Sequence, residues 1–250
     1  MAESKAEAVA RLTRFLTQVS LARQTVARDP ATAAAHFALK AWQARRLEGT
    51  YGDLLDNSRY RQAALFFLND LYGARDYSQR DADVARILPK LSALLPAAAL
   101  AAIADAVELD ALSEQLDQAL VNQLGAENTG SLTAQTYSRG YRACDNRRSR
   151  EHQIALSHAI GSALDSLTRI SFLETTIKLM RKPAKMAGLA ELQGFLERGF
   201  VTFKQMKGAG EFLDAIRSRE TQLMQRLFDG VDDPFGGITS LSAGQKAGQP

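Results

Sequence analysis

Residues 60–94, YRQAALFFLNDLYGARDYSQRDADVARILPKLSAL, hold the densest aromatic segment of the chain. Residues 65–72 would be apolar on nearly every side of a helix, because successive helical residues lie about 100° apart. A helix that is apolar all round is a buried one. Gly73 suits the left-handed position that ends a helix, and Ser78 opens an S-x-x-D pattern that caps a new one. The stretch predicts an all-α fold, a multi-helix bundle whose core is the helix 60–72.

Asp70 places a carboxylate on this buried helix. Burying a charge costs several kcal/mol unless the charge is paired or hydrogen-bonded. Asp70 is therefore either part of a structural ion pair or helix cap, or a functional acid with a raised pKa. The alternating Asp and Arg residues that follow predict an ion-pair lattice between two helices, because the ligand spacing of a calcium loop is missing. The catalytic candidates in this stretch are Asp70, Tyr72, Asp76, Arg80 and Asp81.

The string FFLNDLYGARDYSQRDADVARILPKLSALLP, at residues 66–96, resembles a family of uncharacterised bacterial proteins of about this length. That family is marked by an FFLxxLYGxxDxSxRDxD segment. Two further strings fit the same family, VELDALS at 107–113 and LQGFLERGF at 192–200. The resemblance extends to about residue 230 and implies an all-helical domain of unknown function. It carries over no catalytic residues.

The composition is that of an ordinary globular protein. The chain has 250 residues, of which 46% are hydrophobic and 24% charged, as in typical soluble domains. A net charge of +3 is too small to favour nucleic-acid binding. The single cysteine, Cys144, excludes an internal disulfide and a cysteine zinc cage. The N-terminus lacks the apolar segment of a secretory signal, and no apolar run approaches the ~20 residues of a membrane span. We therefore expect a cytoplasmic protein that has no membrane partner.

Helix caps and apolar spacing predict about eight to ten helices. Asp29 followed by Pro30 predicts a helix start, and Gly125 predicts a helix end. Pro89 predicts a kink or a break in the helix that contains it. The predicted helices cover residues 2–28, 31–48, 60–72, 79–94, 96–124, 131–146, 149–180, 190–207 and 211–228.

One internal boundary is predicted. Asn, Gly and Ser cluster at residues 126–131, as in loops between structural units. The cluster divides the chain into an N-terminal helical half, 1–125, and a C-terminal helical half, 131–230, which we expect to pack as one unit. Residues 231–250 are rich in Gly, Pro and Ser without periodicity, and predict a disordered tail.

No established catalytic or cofactor motif is present. The three histidines fit none of the E-x-x-H or H-E-x-x-H patterns that hold metals in helical proteins. Dinucleotide and phosphate-loop patterns are missing, and so is the nucleophile elbow. We therefore predict no metal and no cofactor.

Two charged sets have simple structural interpretations. An acidic row at i, i+4 and i+7 fits a catalytic face, but the preferred interpretation is a solvated outer face of its helix; the row is Asp110, Glu114 and Asp117. A basic set follows the long helix 149–180 and complements the negative end of the helix dipole; its members are Lys178, Arg181, Lys182 and Lys185.

Residues 137–150 form the strongest polar patch of the sequence, in which tyrosines alternate with arginines. Arginine forks suit phosphate or carboxylate groups, and tyrosines can stack on a base. The patch is either a solvated helix junction or an anion-binding site. Its residues are Tyr137, Arg139, Tyr141, Arg142, Arg147, Arg148 and Arg150.

Three hypotheses follow for function. The first is a non-enzymatic cytoplasmic protein that binds a protein partner or itself, because no catalytic set is assembled in the sequence. The second is a ligand-binding or enzymatic bundle with an acidic and aromatic pocket around residues 70–81 and an anion site in the patch 139–150. The third and weakest is nucleic-acid binding through that patch.

Overall fold

The structure, a computed structural model, describes residues 3–71 and 78–237. Within these residues the chain is predominantly helical and has no β-strand, which confirms the predicted all-α class. The α-helices of the described part are α1 (Lys5–Ala27), α2 (Pro30–Thr50), α3 (Gly52–Asp56), α4 (Arg61–Phe66), α5 (Ser78–Leu94), α6 (Ala97–Leu124), α7 (Ala134–Ala143), α8 (Arg147–Thr168), α9 (Ser171–Leu179), α10 (Arg181–Met186), α11 (Ala190–Met206) and α12 (Gly210–Asp229).

The helix ends follow from local chemistry. Ser4 caps α1 in a capping box with Glu7, and Asp29 caps α2 with Pro30 in the first turn, as predicted. Gly125 ends α6 with a φ of 79°, a conformation that glycine adopts without steric cost. Thr133, rather than a residue of the 126–131 cluster, caps α7.

The aromatic segment that predicts the core does lie in the core, but it is not one regular helix. α4 ends at Phe66 and continues as a π-helix, Phe67–Leu71. A π-helix adds a residue to each turn, and Phe66, Phe67 and Leu68 are all buried. The ring of Phe66 stacks on Phe195 of α11 with centroids 5.5 Å apart.

α6 is the long central helix. It packs against α1 on one side and against α2, α7 and α8 on others. Leu12, Leu16 and Val19 of α1 share a buried apolar cluster with Val107 and Ala111 of α6. Before α6, α5 continues through Pro89, so the helix is not divided there. The alternative prediction, a kink at Pro89, stays a prediction.

The two predicted halves share their core. One apolar cluster combines residues 47–68 with residues 203–216, and a second combines α2 and α6 with α7 and α12. α8 and α12 pack so closely that a Cβ on Gly161 would lie 2.3 Å from Leu213 Cδ2. The predicted helix 149–180 is divided into α8 and α9, and the two short helices α3 and α10 are additional to the predicted ones.

The first residues of the predicted tail contact the bundle. Pro234 is fully buried, and the Phe235 ring lies 5.8 Å from the Trp42 ring. Disorder from residue 238 onward stays a prediction, because residues 238–250 lie outside the described part of the chain.

Candidate functional site

A cavity of about 160 Å³ lies in the middle of the bundle. Its walls come from α2, α6, α7, α8 and α12. Apolar side chains, among them Leu109, Ile154 and Leu223, form part of the lining. The polar part of the lining includes Lys40, Gln43, Arg46, Glu114, Asp117, Tyr137, Tyr141, Arg150, Gln153 and Glu220. A charged cavity inside a helical bundle is the most ligand-like feature of the described residues.

The acidic row of α6 lies inside the protein, so its predicted solvated position is wrong. Glu114 is 5% and Asp117 6% exposed, and both line the cavity. Asp110 is held by two hydrogen bonds from Arg23 of α1, at 2.8 and 2.9 Å. Because α6 is covered on several sides, its polar row faces other helices instead of water.

Glu114 is a fully paired carboxylate. Lys40 Nζ lies 2.7 Å from its Oε1, and Arg23 Nε lies 3.1 Å from the same atom. Burial raises the pKa of Glu114, but the two cations outweigh burial and hold the pKa below its usual value. Glu114 is therefore an ionised residue that ties α1, α2 and α6 together.

Asp117, one turn further along α6, is in the opposite situation. Its Oδ1 accepts a hydrogen bond of 3.0 Å from Gln43 Nε2, and it forms no ion pair with a described residue. Burial raises the pKa of Asp117 above its ordinary value, and Lys40, Gln43 and Arg150 offset only part of that effect. Two carboxylates one turn apart thus have pKa values shifted in opposite directions.

Arg150 is a buried cation near the start of α8. It is 7% exposed, and its guanidinium carbon lies 4.6 Å from the centroid of the Tyr141 ring. Its hydrogen bond within the described chain goes from Nη1 to Gln153 Oε1, at 3.1 Å, while its buried Nε has no partner. No described carboxylate forms an ion pair with it.

Arg46, a half-buried arginine of the cavity, is paired with a carboxylate. Its Nη1 lies 2.6 Å from Glu220 Oε1, and the hydroxyl of Tyr51 donates to the same oxygen at 2.7 Å. Arg150 therefore differs from Arg46 in having no carboxylate of its own.

Two tyrosines of α7 form the aromatic wall. Tyr137 stacks on Trp42 with ring centroids 4.2 Å apart, and Tyr141 lies under Arg150. Burial raises the pKa of both phenols, so both stay protonated at neutral pH. The Tyr141 hydroxyl forms no hydrogen bond with a described residue and is available as a donor.

The predicted patch 137–150 is therefore divided by the fold. Tyr137, Tyr141 and Arg150 line the cavity. Arg147 lies over the Phe228 ring and 3.5 Å from Asp229. The remaining members are exposed and do not line the cavity; they are Arg139, Arg142 and Arg148.

Sequence reasoning missed the part of the site that α2 supplies. Lys40, Gln43 and Arg46 recur every three residues on α2 and line the cavity. These three polar residues share a helix with the apolar Trp42 and Leu47, and this pattern is the feature of the sequence that could have indicated a polar lining. Nothing local connects it to Arg150, which lies about a hundred residues further along the chain.

The candidates in residues 70–81 do not line the cavity wherever the structure describes their side chains. Asp70 accepts hydrogen bonds from Arg198 Nη2 at 2.5 Å and Nε at 3.2 Å. This contact agrees with the ion-pair interpretation of Asp70. Tyr72 and Asp76 lie outside the described residues, as do the side chains of Arg80 and Asp81 in α5.

Asp70→Asn is expected to lower the free energy of unfolding by about 1 kcal/mol, because the partner Arg198 is half exposed and such pairs are screened by water. Urea unfolding measures the loss. Combining the change with Arg198→Gln in a double-mutant cycle isolates the pair. Additive effects of the two substitutions would refute the pairing.

Metal ligation has no support in the described residues, where no group of three or more His, Cys, Asp or Glu side chains is placed to hold an ion. The same part of the chain has no helix with the length and apolar character needed to cross a membrane.

The fold and the cavity define an all-α bundle with a charged, partly open cavity. The chain belongs to the family described as Domain of unknown function (DUF8198), whose model matches residues 22–234. The match includes every helix that lines the cavity, and it agrees with the family resemblance drawn from residues 66–96. No curated protein matches the chain, and no solved structure does.

Proposed function

We propose that the protein binds a small organic carboxylate in its central cavity, with Arg150 as the anchor. The observation that carries the proposal is the buried Arg150 guanidinium without a carboxylate partner. A buried charge without an ion-pair partner costs several kcal/mol, and native proteins compensate such charges by pairing. A bound carboxylate would supply the missing charge and accept two parallel hydrogen bonds from the arginine fork.

The neighbouring groups support an anion of this kind. The Tyr141 hydroxyl can donate to a carboxylate oxygen, and its raised pKa keeps the proton in place. The other cations of the lining are already paired, Lys40 with Glu114 and Arg46 with Glu220. Arg150 is therefore the charge that selects the ligand.

The size of the cavity limits the ligand. A cavity of about 150 Å³ is large enough for benzene, and this one measures about 160 Å³. A carboxylate carrying at most one six-membered ring fits that volume. The apolar side chains Leu109, Ile154 and Leu223 would contact its ring or alkyl part.

Calorimetric titration with paired acids and amides tests the proposal. Acetate, benzoate and 4-hydroxybenzoate are compared with acetamide, benzamide and 4-hydroxybenzamide, which have nearly the same shape but no charge. We expect at least one acid to bind, and its amide to bind much more weakly. If no acid binds more tightly than its amide, the proposal is wrong.

Asp117→Asn is expected to raise the melting temperature at pH 7 and to strengthen carboxylate binding. The folded-state pKa of Asp117 is raised, so folding is penalised as the pH rises from the unfolded value, 3.8, through the folded value. Asparagine keeps the acceptor for Gln43 and removes the penalty. It also removes a negative charge that would repel the ligand.

Calorimetric melting at pH 7 and pH 4 measures the first effect. The gain over wild type should shrink at pH 4, where the wild-type carboxylate carries less charge. A lower melting temperature for Asp117→Asn at pH 7 would contradict the assignment of Asp117 as an unpaired buried carboxylate.

Protein interaction, the first hypothesis drawn from the sequence, has no comparably specific contact behind it. Among the described residues, α9 and α10 expose several large apolar side chains close together in the sequence. The basic side chains of that segment favour a negatively charged partner.

A further inference from the structure

α9 and α10 expose large apolar side chains. Phe172 is 70%, Leu179 71% and Met186 89% exposed, and the neighbouring Met180 is exposed as well. Phe172 and Leu179 are seven residues apart and therefore share one face of α9. Scattered apolar residues on a surface need no explanation, but a group of this kind marks an interaction site.

The same segment is strongly basic. Residues 175–190 contain four Lys or Arg residues and no Asp or Glu. Lys178 is paired with Glu174 and Arg181 with Glu197. Lys182 and Lys185 are exposed and form no ion pair with a described residue. Two exposed cations without an ion-pair partner among the described residues therefore belong to the same segment as the exposed Leu179, Met180 and Met186.

The surface is held firmly on the bundle. Gln193 of α11 donates a hydrogen bond of 2.6 Å to the carbonyl of Ile177, and Glu174 is bridged by Lys178 and by Lys204 of α11. Ala184 of α10 is buried. The segment that carries the apolar and basic side chains is thus tied to α11.

A second copy of the chain is a poor occupant. In a two-fold symmetric dimer the same patch faces itself, so Lys182 and Lys185 would face a second set of the same cations. Nucleic acid would satisfy the cations but would leave Leu179 and Met186 against a polar backbone. The occupant must be negatively charged and must also accept exposed apolar side chains.

We propose that α9 and α10 dock on an anionic membrane surface. Phe172, Leu179 and Met186 would enter the boundary between headgroups and acyl chains, and Lys182 and Lys185 would contact lipid phosphates and carboxylates. The long lysine stems allow the charged heads to stay at the interface. The protein would lie on the membrane without crossing it. This inference is independent of ligand binding in the central cavity.

Vesicle co-sedimentation tests it. The full chain is mixed with equimolar phosphatidylserine and phosphatidylcholine vesicles, and separately with pure phosphatidylcholine vesicles, at about 0.15 M salt. We expect binding to the first and little binding to the second. Lys182→Gln with Lys185→Gln should lower the partition coefficient about thirtyfold, since each surface cation contributes roughly fivefold.

Two further variants separate the sources of binding. Leu179→Ser with Met186→Ser leaves the charge unchanged and should also weaken binding to the mixed vesicles. Arg28→Gln with Arg148→Gln removes the same charge from other exposed positions and should leave binding near the wild-type value. Circular dichroism confirms that each variant is folded, as expected for exposed positions.

Three results would overturn the proposal. The first is no binding to the anionic vesicles. The second is an equal loss of binding in the Arg28 and Arg148 control, which would indicate net charge alone. The third is a short DNA duplex that binds more tightly than the vesicles and is unaffected by the Leu179 and Met186 substitutions, which would assign the surface to nucleic acid.

Discussion

Arg150→Gln is expected to weaken benzoate binding by roughly 100-fold or more, without lowering the melting temperature of the unliganded protein. Removing one member of a buried, hydrogen-bonded charge pair costs about 2–5 kcal/mol, and each ~1.4 kcal/mol is a factor of ten. In the unliganded protein, no described carboxylate lies within ion-pair distance of the buried guanidinium. Removing this buried charge opposes the loss of its support for the Asp117 carboxylate, so the melting temperature should change little. Calorimetric titration and thermal melting measure the two effects.

A loss of benzoate affinity without a loss of melting temperature distinguishes a ligand anchor from a structural arginine. A structural arginine would lower the melting temperature when replaced and would leave ligand affinity nearly unchanged. Arg148→Gln is the matched control, since Arg148 lies two residues away, is exposed and does not line the cavity. Arg150→Lys should fall between wild type and Gln, because an ammonium keeps the charge but loses the fork. Equal benzoate affinity in Arg150→Gln and Arg148→Gln would refute the assignment of the anchor.

Glu114→Gln is expected to lower the free energy of unfolding by about 3 kcal/mol or more. Glu114 is buried and paired with Lys40 and Arg23, and removing one member of a buried pair leaves the other charge uncompensated. Arg23 keeps its bonds to Asp110, so Lys40 carries most of the penalty. Urea unfolding at pH 7 measures the loss.

The pH dependence of this loss has a definite sign. The folded-state pKa of Glu114 is lowered from 4.5, so its contribution to stability is present above that value and disappears as the pH falls through the folded pKa. The stabilities of wild type and Glu114→Gln should therefore converge in acid. A loss that persists unchanged at low pH would contradict the ion pairing.

Glu114→Gln and Asp117→Asn together form an internal comparison. Both replace an acid by its amide on the same helix, three residues apart, and both side chains are buried. The account predicts opposite changes in stability, because only Glu114 has cationic partners within ion-pair distance. If the two changes have the same sign, the charge arrangement of the cavity is described wrongly.

The sequence predicts the helices better than it predicts the site. The start of α2 at Asp29 and Pro30 and the end of α6 at Gly125 follow from backbone chemistry within a few residues. The π-helix Phe67–Leu71 does not, because the apolar residues around it are compatible with a regular helix as well. Local sequence signals therefore predict where helices begin and end, but they do not predict the π-helix.

The acidic row of α6 shows where such reasoning fails. Helical spacing establishes that Asp110, Glu114 and Asp117 lie on related faces, but it does not tell which neighbour covers them. α1 and α2 cover the row and supply Arg23, Lys40 and Gln43. These contacts join residues more than seventy positions apart, which a single sequence does not pair.

The arginine patch shows the same limit of reasoning from one sequence. Tyr137, Tyr141 and Arg150 were grouped with their neighbours by proximity in sequence. Only the packing of α7 and α8 against α6 and α12 separates these three from the exposed Arg139 and Arg148. The residue types indicate a candidate anion site, but only the fold shows which of these residues line the cavity.

The most direct test of the central claim is a nuclear magnetic resonance titration of the arginine side chains with benzoate. The Nε–H signal of Arg150, assigned by its disappearance in Arg150→Gln, should shift on addition of benzoate and stay in place on addition of benzamide. The signal of Arg148 should not respond to either. A benzoate-dependent shift that leaves Arg150 unmoved, or no shift at all, would contradict the proposal that Arg150 anchors a carboxylate in the central cavity.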